Sequence, residues 1–136
     1  HMKPETKELI KYRLLRARES LEDARLLAEN GRLFSAVNRI YYSLFYAAVG
    51  LLLTKDFSSS KHSGILGLFN KEFVNKGVIE KERGRFYNKM FEFRQKADYK
   101  DGINFSKEEV GLWLNQTQEF VVYIEGVIEG LTTSSP

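Results

Sequence analysis

Apolar side chains at Leu9, Tyr12, Leu15, Leu21, Ala24 and Ala28 recur at the three- and four-residue spacing of one helix face, and Asn30-Gly31 then supplies a stop. With Pro4 suited to a first turn, the pattern predicts a helix over about 5–29. The next stretch, about 35–54, is apolar nearly all round, which marks a helix central to the core. Residues 55–61, with three consecutive serines, read as a loop, and Ser60 or Lys61 precedes a shorter helix ending near Gly77. A fourth helix is predicted over roughly 80–97. Ser106-Lys107-Glu108-Glu109 has the form of a capping box and announces a fifth, whose Val110, Leu114, Thr117, Val121, Ile124 and Ile128 form a stripe. Five helices with short connections, no strand pattern, no repeat and no long linker predict an all-α, up-and-down helical bundle in a single domain over 1–136. Residues 132–136 read as a frayed tail and 1–3 as a disordered or tag-derived start, His1-Met2 having the look of a cloning remnant.

Composition narrows the class. A chain of 136 residues with 43% hydrophobic and 29% charged residues can bury a self-sufficient core and reads as globular. With no cysteine there are no disulfides and no thiolate metal sites. The longest fully apolar candidate, 44–53, falls short of the roughly 20 residues that span a bilayer, and no charged-then-apolar leader opens the sequence, so no membrane role and a cytoplasmic location are expected.

Net charge is only +3, but its distribution is uneven. Lys3, Lys7, Lys11, Arg13, Arg16 and Arg18 crowd the first helix, and Lys81, Arg83, Arg85, Lys89, Arg94, Lys96 and Lys100 the fourth, while Glu residues dominate the stretch after Asp101. A basic surface beside an acidic helix is expected. Those charges either solvate helix faces and pair across the bundle, or form an anion-binding face around Arg94, the reading adopted here. The second helix is unusually aromatic: Phe34, Tyr41, Tyr42, Phe45 and Tyr46 either pack within the monomer with hydroxyls at its rim or meet a partner.

Several chemistries are disfavoured. His62 is the one histidine besides His1 and has no carboxylate pair at ligand spacing beside it, so no metal is expected. Ser63, His62 and Asp98 make a triad only on paper, and Gly64 and Gly67 follow no strand, so no phosphate-cradling loop is present. No cofactor is expected. What remains is metal-independent chemistry on a phosphate, and the candidate is Arg94-Gln95-Lys96-Ala97-Asp98-Tyr99. Helical residues five apart point in different directions, so Arg94 and Tyr99 share a site only if the helix ends between them. A guanidinium holds two phosphate oxygens at once and never loses its charge.

This hexapeptide resembles the motif of the HEPN domains, in the branch reading Arg-x-x-Ala-Asp-Tyr. The segment from Ser35 through Tyr41-Tyr42 to Ala48 resembles that branch's tyrosine-pair helix, and Lys61-His62-Ser63-Gly64-Ile65, followed by Phe69 and Phe73-Val74, is a third likeness in the same order. The resemblance extends over about 12–131. It implies a homodimer with a cleft at its interface, and a site drawn from Asn38, Arg39, Tyr42, His62, Arg94, Asp98 and Tyr99. Asp98 is the expected internal partner of Arg39 or Arg94.

In ribonuclease members of the family a histidine follows the arginine by four to six positions, where this chain has Tyr99. A phenol is a poor base at neutral pH. Tyr99 can instead stack or donate a hydrogen bond, and His62 is the only substitute base. His62 alternatively caps an amide or packs neutrally. The tyrosine that in some members accepts a nucleotidyl group is replaced by Asp101. Three functions follow as expectations: a nucleotide- or RNA-binding homodimer working with a small nucleotidyltransferase as a toxin-antitoxin or defence component; a metal-independent endoribonuclease using Arg94, Tyr99 and His62; or a non-catalytic interaction bundle.

Overall fold

The computed structural model describes residues 2–99 and 102–133, the side chains of 97–99 excepted. Its helices are α1 (Pro4–Glu29), α2 (Leu33–Leu53), α3 (His62–Phe69), α4 (Lys81–Tyr99) and α5 (Lys107–Thr133), and a single π-helical turn, Asn70–Val74, extends α3. No strand occurs among the described residues. The all-α bundle of five helices matches the sequence expectation.

Local chemistry sets the ends. Gly31, at φ +73°, closes α1 with the Arg32 amide donating to the Leu27 carbonyl at 2.8 Å and the Gly31 amide to Ala28 at 3.0 Å. After α2 the same closure falls on Asp56, at φ +58° a residue type that tolerates the left-handed region at some cost. The capping box at α5 forms as predicted: the Glu109 amide donates to Ser106 Oγ at 3.0 Å, and the Ser106 amide to Glu109 Oε1 at 3.2 Å.

Three expectations are corrected. The fourth helix does not end between Arg94 and Tyr99 but runs through Tyr99, and the left-handed residue that follows is Gly102, at φ +85°. The start and tail are more ordered than expected: Met2 packs against the core and α5 continues to Thr133, whose hydroxyl donates to the Glu129 carbonyl at 2.7 Å. α2 is, by length and composition, long and apolar enough to cross a membrane; 61% of that span is buried, as suits a helix with neighbours on most sides.

α2 is the axis of the bundle, with Ala36, Ile40, Tyr41, Leu44, Ala47, Ala48, Leu51 and Leu52 fully or almost fully buried. Gly50 marks its close approach to α1 and α5: a β-carbon there would stand 3.7 Å from Arg13, Leu14 and Ile128. Phe69, Tyr87 and Phe120 tie α3, α4 and α5 together, with ring centroids 5.3 to 6.1 Å apart. α4 comes close to the π turn at Gly84, where an added β-carbon would lie 3.1 Å from Asn70 Oδ1 and Val74 Cγ2, and Asn70 Nδ2 donates to Asn88 Oδ1 at 3.1 Å. Part of α1's basic charge is absorbed by packing, since Arg18 grips Glu125 of α5 bidentately and Arg25 donates to Gln118 at 2.9 Å.

Candidate functional site

α2 and α4 bring Arg94 against the tyrosine pair. Its guanidinium carbon lies 5.1 Å from the Tyr41 ring centroid and 5.4 Å from that of Tyr42, and Nη2 donates to Tyr42 Oη at 3.2 Å. From the preceding turn of α2, Arg39 covers the Tyr42 ring at 4.7 Å while Nη2 and Nε donate to Asn38 Oδ1 at 2.9 and 3.2 Å. Two guanidinium groups thus share one phenol ring. Such contacts orient both cations, each contributing on the order of 1 kcal/mol where partly exposed. Arg39, Arg94, Tyr42 and Asn38 are half-buried, and among the described side chains no carboxylate forms an ion pair with either arginine.

His62 opens α3 and reaches the same place. Its ring stacks on Phe45 at 4.3 Å with 9° between planes, meets Tyr42 edge-on at 5.6 Å, and its Nδ1 lies 2.8 Å from Tyr41 Oη. Burial, and secondarily the Arg94 charge, pull its pKa below the usual histidine value, so the imidazole is neutral at neutral pH. Burial pushes the Tyr41 phenol well up against the opposing pull of Arg94, so it stays protonated. Two tautomers satisfy the pair. Either Tyr41 donates to Nδ1 and Nε2 carries the proton, or Nδ1–H donates to Tyr41 Oη and Nε2 is left as a free base. The imidazole makes no helix-capping hydrogen bond.

Because the folded pKa lies below the unfolded one near 6.5, this neutral packing contributes stability fully present above that value. It is lost as pH falls through the lower folded pKa. Urea unfolding between about pH 4 and pH 8 is expected to show an acid-side loss that His62→Gln reduces. A parallel decline in both proteins would refute the neutral assignment.

Of the residues expected at the site, Asn38, Arg39, Tyr42, His62 and Arg94 are therefore gathered within one monomer. Asp98 and Tyr99 lie outside the described side chains, and the backbone between Arg94 and Tyr99 is continuous helix. Sequence reasoning passed over Tyr41, which holds His62 and underlies Arg94; the Tyr41-Tyr42 pair was the signal, but only periodicity with Leu44 and Ala48 separates the inward tyrosine from the outward one. Tyr41 is fully buried and Tyr42, Phe45 and Tyr46 are half-buried, so most of the aromatic surplus packs within the monomer, whereas Phe34 is 49% exposed.

The family model of the HEPN domain matches residues 10–127. This chain belongs to the HEPN family. The tyrosine pair, the His62 turn and Arg94 all fall inside the match. The HEPN chain is 51% identical over 127 residues to a UPF0332 protein of Thermotoga maritima, covering 93% of this chain and 96% of that protein. It is 37% identical over 114 residues to a Methanocaldococcus jannaschii protein named "Putative toxin MJ0142", covering 79% and 78% of the two chains. A second protein of that organism, "Putative toxin MJ0605", is 45% identical over 83 residues, or 61% and 62%.

Proposed function

We propose that this HEPN protein binds a nucleotide or RNA as a homodimer and is the toxin-like component of a toxin-antitoxin or defence pair, its counterpart a small nucleotidyltransferase. The observation that carries this reading is Arg94 held on two tyrosine faces beside Arg39, a positive pocket with neutral His62 at its edge. Oriented guanidinium forks suit the nonbridging oxygens of a phosphate, and exposed edges of Tyr42 and Phe45 suit a base. Relatives bearing toxin names support the coarser part of the proposal. The second copy is proposed to pack along α2 and the end of α4, so that Tyr99 of one chain meets the arginine cluster through the shared cleft rather than within a monomer.

His62 favours a second reading, a metal-independent endoribonuclease. A neutral imidazole with Nε2 unprotonated takes the proton of a 2′-hydroxyl, whose oxygen attacks phosphorus. The bond to the 5′-oxygen breaks, that oxygen receives the proton back, and a cyclic phosphate remains. Arg94 steadies the developing charge, and Tyr99 serves as hydrogen-bond donor.

Light scattering at micromolar concentration is expected to give the mass of a dimer, and a labelled short RNA should bind with an affinity that falls steeply as salt rises. A strictly monomeric protein with salt-insensitive or no RNA binding would leave a non-catalytic interaction bundle. Cleavage in the presence of chelator, lost in His62→Gln, would favour the ribonuclease.

A further inference from the structure

The aromatic stripe of α2 continues one turn beyond Tyr42. The Tyr46 ring lies 6.0 Å from that of Tyr42, and Arg16 of α1 places its guanidinium over Tyr46 at 5.4 Å. A ring–guanidinium unit like that of Tyr42 and Arg39 is thereby repeated next to it on the same helix, with the cation supplied from a different one. Tyr46 is half-buried, and the Arg16 side chain keeps 37% of its surface open.

We propose that Arg16 and Tyr46 form a second nucleotide subsite beside Arg94, so that the bundle takes a short single-stranded oligonucleotide across α2 in preference to a mononucleotide. This rests on the phosphate-binding reading of Arg94. Single strands are held where cations follow the phosphates and successive bases find π faces, and adjoining ring–guanidinium units supply both for neighbouring nucleotides. Packing on the ring restricts Arg16 before a ligand arrives, which lowers the ordering cost of binding. Glu19 accepts a hydrogen bond from Arg16 Nη1 at 3.2 Å, but a surface pair three residues apart is weak and screened, and the other guanidinium donors point elsewhere. Arg18, the next cation along α1, is committed to Glu125, so Arg16 is the α1 charge that meets the stripe.

Calorimetric titration with adenosine monophosphate and with single-stranded oligoadenylates of three and six nucleotides tests the subsite. Wild type is expected to bind the oligomers more tightly than the monophosphate. Arg16→Gln and Tyr46→Leu, which keep most of the side-chain bulk, should each lower oligomer affinity by about 5- to 100-fold and leave monophosphate binding unchanged. Arg94→Ala should weaken both ligands. A length preference that survives in Arg16→Gln and Tyr46→Leu would overturn the subsite while sparing the Arg94 reading. Absence of binding, or binding indifferent to Arg94, would remove that reading and the subsite with it.

Discussion

Arg94→Ala is expected to weaken binding of a short RNA by about 10- to 100-fold, the scale of hydrogen bonds to a charged group that is lost entire. Arg94→Lys should fall between the variant and wild type, because an ammonium keeps the charge but loses the fork. The tyrosine faces sharpen that difference: a planar guanidinium lies flat on Tyr41 and Tyr42, whereas a lysine head has no plane to match. Fluorescence anisotropy at fixed ionic strength reads the series, with circular dichroism confirming that each variant remains folded. Equal affinity for wild type and Arg94→Ala would mean that the pocket holds no phosphate.

Phe120→Ala should cost about 3–5 kcal/mol, a large part of the stability of a domain this size. Phe120 is 1% exposed and touches ring systems from both α3 and α4, so truncation leaves a hole that three helices would have to close together. Phe34→Ala makes the comparison. Half its surface faces solvent and its ring neighbour Phe105 stands 6.5 Å away, so a loss within roughly 1 kcal/mol is expected. Denaturant titration measures both. Similar costs at the two positions would contradict the packing around Phe120.

Helix identity was legible because each helix carries its own signal: the apolar stripe of α5, the all-round apolarity of α2, the Ser106 capping box. The end of α4 was not. Lys100-Asp101-Gly102 reads as a stop, but a glycine closes a helix from just beyond its last residues, so the helix reaches Tyr99 before the chain turns. The convergence of His62 with Arg94 was legible only as a consequence of family resemblance, since contacts between α2, α3 and α4 are set by packing and leave no local periodicity. The inward role of Tyr41 was hidden for a related reason: neighbouring tyrosines look alike until the burial of the helix face is known. The basic run on α1 misled in part, because Arg18 serves the acidic helix and not a ligand.

The π turn at Asn70–Val74 holds a reading frame for the middle of the chain. A wide turn carries one residue more than the α-turn it replaces, so deleting Lys71, which is exposed, would let the helix relax to ordinary winding and rotate everything after it by about 100° relative to α3. The Val78 carbonyl would swing away from the Tyr123 hydroxyl, now 3.1 Å from it, and the notch that receives Gly84 would close. Single-residue length changes in this segment should therefore be tolerated far less well than substitutions at Lys71 itself. Insertions in the serine-rich stretch before His62 should be absorbed more readily, because nothing downstream depends on their phase.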